Sequence, residues 1–282
     1  MYLKHSEGVI VPLPAMTSVE TVPPGIYNIR FVEINGGKSL GLQDISSSIA
    51  RESIIRIENE IFKLVIDYAD QFQTKADLYD EFGFSHRSGI LLYGKEGTGK
   101  TVLAKTVALR LVDNGYIVIY LRDLDDLRYS PNMIRWIRHT DAMKNQKFCI
   151  VMDEFEGYTS KDEQSVLKFL DGDDSEDGVL SICITNYKSA LALRMLRPSR
   201  FGLIREIPML DQAVIRQYVT SKLSNLIDKG HLTKEEMYKF LADLDTGNAY
   251  TIDQVKDMMI KRFILGDKFT HSDFDLATHK VI

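Results

Sequence analysis

The sequence predicts an α/β protein: a parallel sheet flanked by helices, with a small β-rich segment ahead of it and an all-helical segment behind. Three observations carry this. Short apolar strand-like runs alternate with helical patterns between about residues 89 and 185, as βαβ units require. A glycine-rich turn, Gly94-Lys95-Glu96-Gly97-Thr98-Gly99-Lys100-Thr101, sits at one of the strand-to-helix junctions. After about Asp211 the strand signals stop and helical periodicity alone continues.

Up to about Ser46, Pro12, Pro14, Pro23 and Pro24 punctuate the chain, and Tyr27, Ile29 and Phe31 then alternate with Asn28 and Arg30 as in a strand. Asn35-Gly36-Gly37 is a hairpin turn signal, with Leu40 and Leu42 on the return strand. From about Ser47 to Phe72 the period is helical, with Ile54, Ile57, Ile61, Leu64 and Val65 near one face. Asp80 to Gly83 reads as a connector. The core then reads strand (Gly89–Tyr93), helix (Val102–Val112), strand (Tyr116–Leu121), helix (Pro131–Ala142), strand (Phe148–Met152), helix (Glu163–Leu170) and strand (Leu180–Thr185). Three helices follow, Ala213–Ile227, Lys234–Leu244 and Ile252–Ile264. Thr233…Glu236 and Thr251…Gln254 have capping-box spacing, and Gly230, Gly247 and Gly266 stand where helices should stop. The predicted division is a β-rich module over 1–46, the α/β core over 47–210, an α-helical unit over 211–266 and a tail over 267–282.

Length and composition agree. The chain has 282 residues, which at roughly 100–200 residues per domain allows one large domain with one or two small ones. Hydrophobic residues make up 44% and charged ones 27%, ordinary for a globular protein. The formal net charge of −5 argues against a duplex-coating protein. One local basic cluster, Arg135, Arg138, His139, Lys144 and Lys147, reads most simply as a solvated helix face. Cys149 and Cys183 lie in apolar runs without metal-ligand spacing and read as packing residues of a reducing compartment. The start shows no apolar leader, and no stretch approaches the roughly 18 apolar residues that cross a bilayer. The expected location is cytoplasmic.

The glycine-rich turn has P-loop spacing. Such a loop wraps a polyphosphate with backbone N–H groups, glycine relieves the steric cost of its dihedrals, and the following helix points its positive end at the phosphates. ATP and Mg²⁺ are the expected cofactors. Lys100 would neutralise β/γ-phosphate charge and the Thr101 hydroxyl would ligate Mg²⁺. Gly94 through Val102 supply the cradle, Lys95 and Glu96 contributing only backbone. About 50 residues on, Phe148-Cys-Ile-Val-Met152 runs into Asp153-Glu154, a buried strand ending in two acids. Asp153 would hold Mg²⁺ and Glu154 would polarise the attacking water as general base. The strand Ser181–Thr185 ends in Asn186, an amide placed to orient that water. In Arg197-Pro-Ser-Arg200-Phe201 an arginine suits transition-state charge on a phosphoryl group; taken alone it reads rather as a surface ion pair.

In this order the four elements resemble the AAA+ ATPases, and more narrowly their classical AAA clade, over roughly Arg51 to Ile264. The resemblance implies the P-loop NTPase sheet order 5-1-4-3-2 with a helical lid. It identifies Asp153-Glu154 as the Walker B pair, Asn186 as sensor 1 and Arg200 as the arginine finger that completes a neighbour's site. It therefore implies a homo-oligomeric ring, commonly a hexamer. The lid start Gly247-Asn-Ala-Tyr-Thr251 lacks the arginine that many AAA+ groups use as sensor 2, and Leu203 stands where a second finger is common. That single-finger style, with Leu170-Asp171-Gly172 and Tyr93, is similar to the mitochondrial AAA group that translocates a Rieske protein. A phage- or plasmid-encoded member would suit the compact form.

Other signals fall away. Asp173-Asp-Ser175-Glu-Asp177-Gly178 starts like an EF-hand, but Ile184 stands where a bidentate Glu is needed. The six histidines are scattered, and Trp136 with Met133 and Ile137 reads as a core face. Tyr129 falls where related motors place an aromatic pore loop, or is a turn aromatic packing locally; Tyr158 is a weaker pore-loop candidate. The expected activity is ATP hydrolysis coupled to remodelling, unfolding or disassembly of a protein target. The alternatives are a DNA-associated initiator- or loader-like factor and a non-catalytic nucleotide switch.

Overall fold

The computed structural model describes residues 2–4, 9–12, 21–34, 37–53, 59–172, 177–209, 211–245 and 250–265. The turn residues Asn35 and Gly36, the acidic turn 173–176, the segment 246–249, Gly266 and the tail lie outside them. Contacts divide the chain into two compact units. The first comprises Met1–Ile54, Glu58–Lys95 and Lys100–Ile207; the second comprises Ile55–Ile57, Glu96–Gly99 and Pro208–Ile282.

The first unit is built on one sheet. Its strands are β1 (Tyr2–Lys4), β2 (Val9–Pro12), β3 (Gly25–Ile34), β4 (Gly37–Asp44), β5 (Arg87–Tyr93), β6 (Ile117–Leu121), β7 (Phe148–Met152), β8 (Val179–Thr185) and β9 (Leu203–Glu206). They lie in the order β1-β2-β4-β3-β6-β7-β8-β5-β9. From β3 to β9 every neighbouring pair is parallel. Numbered within the core, β9-β5-β8-β7-β6 is the expected order 5-1-4-3-2. Periodicity alone had not shown β9, a strand of four residues with two exposed. The hairpin β3–β4 extends this same sheet, because β3 pairs with β6 from Gly25↔Ile117 to Asn28↔Tyr120. The apolar runs of β7 and β8 are buried at every position, as strands covered on both faces must be.

Helices α1 (Ser46–Ser53), α2 (Glu60–Thr74), α3 (Ala76–Glu81), α4 (Lys100–Asp113), α5 (Leu124–Arg138) and α6 (Phe155–Asp171) belong to this unit. In α2 the buried face is Phe62, Val65, Ala69 and Phe72; Leu64, expected inside, is 40% exposed. The expected connector at Asp80 is instead the end of α3. In α4, Leu103, Ala104, Val107, Ala108 and Leu111 are buried at spacings of three and four.

Pro131 was expected to open a helix, yet α5 begins at Leu124, because the Asp123 carboxylate accepts the Asp126 N–H at 2.9 Å and caps the first turn. Pro131 then sits inside the helix and offers no N–H to the Leu127 carbonyl. The Ser130 hydroxyl donates to that carbonyl instead, at 2.9 Å. The expected core face also shifts: Met133 and Ile137 are buried, whereas Trp136 is 46% exposed. Helix α6 starts eight residues before its expected beginning and is interrupted at Asp162, whose dihedrals are non-helical. Asp162 recaps the second half, accepting Ser165 N–H at 3.1 Å and Ser165 Oγ at 2.6 Å.

The second unit contains α7 (Gln212–Asp228), α8 (Lys234–Leu244) and α9 (Ile252–Ile260), followed by a π turn over Lys261–Leu265. Both predicted capping boxes are formed, Thr233 with Glu236 and Thr251 with Gln254. Val219, Leu223, Phe240, Leu244 and Val255 are buried in it, and Phe240 meets Phe263 edge-on at 5.2 Å.

Ile119 is fully buried in β6, between β3 and β7. Ile119→Ala is expected to lower unfolding free energy by about 2–5 kcal/mol, read from urea denaturation. A loss under about 1 kcal/mol would mean that the sheet does not pack as described.

Candidate active site

Strand β8 lies between β5 and β7, with Tyr93 opposite Thr185 and Met152 opposite Cys183. The three strands end nearly level. The P-loop leaves β5, Asp153 follows β7 and Asn186 follows β8, so all three emerge at the carboxyl edge of one parallel sheet. That edge is where open α/β sheets bind ligands.

Gly94 opens the loop at φ +145°. A Cβ there would stand 2.4 Å from the Ile207 carbonyl oxygen, and Ile207 is held in place by donating its N–H to Tyr93 O at 2.7 Å. Lys100, the first residue of α4, is 5% exposed. Its ammonium donates to the carbonyls of Gly94 at 2.8 Å and Lys95 at 2.6 Å. The next residue, Thr101, donates its hydroxyl to Asp153 Oδ2 at 2.9 Å, while Asp153 Oδ1 accepts the Glu154 N–H at 2.9 Å. Val102 continues the first turn of α4 and is half-buried.

The loop tip, Glu96–Gly99, groups with the helical unit. There Gly97 has φ +72°, and a Cβ on it would lie 2.6 Å from Cβ of Thr251. The Gly97 carbonyl accepts the N–H of Ile252, at the start of α9, at 2.8 Å. Thr98 is buried and Gly99 also has positive φ.

These features fit a polyphosphate with a divalent cation. Positive-φ glycines turn the backbone as an anion nest requires. A lysine ammonium is held on the loop's own carbonyls, and a hydroxyl touches a carboxylate, which is oxygen-ligand chemistry suited to Mg²⁺.

Glu154 is the one non-glycine residue with positive φ among the described residues, at φ 50° and ψ 49°. It is exposed. A left-handed conformation costs a residue with a Cβ roughly 1–3 kcal/mol, and such strain concentrates at functional positions. Here it turns the chain sharply from β7 into α6, and the Glu154 carbonyl accepts Gly157 N–H at 2.7 Å. Asn186 is half-buried at the end of β8, just before a turn in which Thr185 Oγ1 accepts the Tyr187 N–H at 3.0 Å.

Arg200 departs most from expectation. A residue meant to reach a neighbour is 8% exposed. Its Nε and Nη2 grip the two oxygens of Asp171 at 2.6 and 2.7 Å, and Nη1 donates to the Arg194 carbonyl. Asp171 ends α6. Its hydrogen bonds from Arg200 hold its carboxyl below the usual carboxylate range, against a smaller opposing effect of burial. Arg197, three residues earlier, is exposed. Sequence reasoning noted Leu170-Asp171-Gly172 only as a likeness, since nothing local marks Asp171 as the partner of a residue 29 positions away.

Neither aromatic sits in an open loop. Tyr129 lies within α5, 37% exposed, with its ring edge-on to Phe31 of β3 at 5.4 Å. Tyr158 is buried and donates its hydroxyl to Leu121 O at 3.0 Å, so it belongs to the core. Cys149 and Cys183 are fully buried, and burial pushes both thiols well above their ordinary pKa. Among the described residues no cluster of His, Cys, Asp and Glu has metal-holding geometry, and no helix is long and apolar enough to cross a membrane.

Residues 90–209 match the family AAA, described as "ATPase family associated with various cellular activities"; the chain carries an AAA ATPase domain. It is 30% identical over 236 residues to a 26S proteasome regulatory subunit 4 homolog of Oryza sativa subsp. japonica, covering 74% of this chain and 50% of the relative. It is 29% identical over 252 residues to a 26S proteasome regulatory subunit 6B homolog of Dictyostelium discoideum, covering 80% and 58%. An Arabidopsis thaliana subunit 4 homolog is 29% identical over 235 residues, covering 74% and 50%. The chain spans about half the length of the curated relatives it matches. These relatives support the classical AAA likeness. They give no support to the narrower likeness to the Rieske-protein translocase group or to a phage source.

The Asp171–Arg200 pair sets a pH dependence. The folded pKa of Asp171 is depressed, so its contribution is fully present above the unfolded value of about 3.9 and is lost as pH falls through the lower folded value. In urea titrations across that window, the stability difference between wild type and Asp171→Asn should shrink with falling pH. A difference independent of pH would show that the pair does not form.

Proposed function

We propose that this chain is an Mg²⁺-dependent ATPase that works in the cytoplasm as a homo-oligomeric ring, most simply a hexamer, and spends ATP hydrolysis on remodelling a protein target. The observation that carries this reading is the 2.9 Å contact between Thr101 and Asp153 beside the buried ammonium of Lys100. It brings a phosphate-charge neutraliser and a pair of cation ligands together from two strands at one sheet edge. The names of the relatives, regulatory subunits of the 26S proteasome, support a protein target.

In this reading the amides of Gly94 to Thr101, with Val102 behind them, receive the triphosphate, and the N-terminus of α4 adds its positive end. Lys100 exchanges loop carbonyls for β- and γ-phosphate oxygens. Thr101 and Asp153 hold Mg²⁺, which when bound neutralises charge developing on the phosphates. Glu154, exposed and one residue beyond Asp153, takes a proton from the attacking water. Asn186, on the strand between, orients that water. Arg200 acts on a neighbouring copy's phosphates, and must first release Asp171 to do so. The β-rich residues 1–46, the core 47–210, the lid 211–266 and the tail 267–282 are the corresponding parts of the chain.

Glu154→Gln should retain ATP binding and lose turnover by about 10²–10⁴-fold, measured by phosphate release beside equilibrium nucleotide binding. Normal hydrolysis by this variant would remove Glu154 from the role. Lys100→Ala should lose binding itself. Arg200→Ala should bind ATP but turn over poorly, and mixing it with Glu154→Gln should restore part of the activity, because each supplies what the other lacks. No recovery on mixing would confine Arg200 to its pair with Asp171.

A further inference from the structure

Tyr120, the fourth residue of β6, carries a polar group that the reading above does not use. The residue is half-buried, and its hydroxyl oxygen is buried without a hydrogen-bond partner among the described residues. Leaving a buried hydroxyl unpaired is costly, and a water or an ion commonly meets such exceptions. The Tyr116 hydroxyl also lacks a partner, but Tyr116 precedes β6, at the end away from the P-loop. Tyr120 stands at the carboxyl end, four strand residues or about 13 Å further on, at the edge where the candidate active site lies.

Alternation along the strands fixes which way Tyr120 faces. Ile117, Ile119 and Leu121 of β6 share one core cluster with Phe148, Ile150 and Met152 of β7 and with apolar residues of α5 and α6. Val118 and Tyr120 therefore face the other way, as do Cys149, Val151 and Asp153. Tyr120 pairs with Val151, and Asp153 follows two residues later, so the tyrosine and the acid are neighbours on one face. That face carries α4, since Asp153 takes its hydrogen bond from Thr101 in the first turn of that helix. Electrostatics agree. Burial raises the Tyr120 pKa well above its ordinary value, and the nearby Cys149 and Asp153 raise it further. The group is a neutral hydroxyl that can donate and accept at once.

We propose that Tyr120 is a positioning residue for the divalent cation, its hydroxyl bonding a water of the hydrated ion that Thr101 and Asp153 hold. The proposal rests on the ATPase reading and adds to its site a side chain from a further strand, β6. Mg²⁺ dehydrates reluctantly and keeps several of its waters in protein sites. Those waters need partners on the protein, and Tyr120 offers one on the face that Asp153 shares. Outer partners of this kind typically change metal affinity by roughly 10–100-fold when removed. Tyr120 acts through the ion here and touches neither the phosphates nor the attacking water. No motif marks it, because a tyrosine inside the apolar run of β6 reads only as strand packing.

Tyr120→Phe removes the hydroxyl and leaves the ring. Equilibrium binding of a fluorescent ATP analogue to the full chain is measured in EDTA and across a Mg²⁺ titration, for wild type and variant. The expected result is the same affinity in EDTA and a Mg²⁺ requirement raised about tenfold in the variant. Its thermal midpoint without nucleotide or metal should be no lower than that of wild type, because a hydroxyl without a partner is lost at no cost. A Mg²⁺ titration that superimposes on wild type would overturn the proposal. An equal loss of affinity with and without Mg²⁺ would do the same, since it would make the hydroxyl a phosphate or packing contact. A lowered midpoint in the free protein would also count against it, by showing the hydroxyl already bonded there. Wild type that binds no nucleotide under either condition would remove the ATPase reading and this proposal with it. Wild type that binds with Mg²⁺ and a variant that matches it would remove Tyr120 alone.

Discussion

The hydrogen bond from Thr101 to Asp153 ties the first turn of α4 to the end of β7. It forms because β5, β8 and β7 lie side by side in register. A shift of one residue in either pairing would turn every side chain of a strand to the other face and take Asp153 from the loop. The buried apolar faces hold that register. Ile90, Leu91 and Leu92 in β5 and Ile150, Val151 and Met152 in β7 are all at 0% exposure, and none can move outward without exposing apolar area worth roughly 25 cal/mol per Å². The chemistry at the sheet edge is in this sense a by-product of strand packing.

The second structural commitment is at Arg200. A bidentate guanidinium–carboxylate pair is among the stronger polar contacts, and Arg200 adds the Arg194 carbonyl as a third acceptor. The same pair joins the end of α6, which follows Glu154, to the loop that precedes β9. The P-loop shows a similar economy. Gly94 abuts the carbonyl of Ile207, just past β9, and Gly97 accepts from the first N–H of α9. Two positive-φ glycines of the loop are thus also close-contact points for chain more than 100 residues away, and each has a neighbour where any larger residue would put its Cβ.

Where local reading and structure part, the reasons are specific. Pro131 looks like a helix start because proline favours the first turn, yet the Asp123 cap begins α5 earlier and the Ser130 hydroxyl compensates the missing donor. Trp136 looks like core because it is large and apolar, but the buried stripe is Met133, Ile134 and Ile137, which leaves position 136 outside it. Tyr158 looks like a loop aromatic until the strand-to-helix turn at Glu154 folds it beneath Leu121. Leu64 lies off the buried face of α2, which Phe62 joins, for the same kind of reason: a stripe assigned without its partner surface can be rotated by a residue or two.

By itself the sequence determined the class of fold, the site motifs and the local stops and starts that depend on neighbours in the chain. Glycine spacing in Gly94–Thr101, the two acids after Phe148–Met152 and the boxes at Thr233 and Thr251 are short-range chemistry, and each is present in the structure. Tertiary structure alone decided that Arg200 is clasped by Asp171, that the hairpin β3–β4 continues the central sheet alongside β6, and that Trp136 is exposed. Those outcomes depend on which surfaces meet across 29 to more than 90 residues of chain, and neither propensity nor spacing encodes a contact whose two halves carry no local sign of each other.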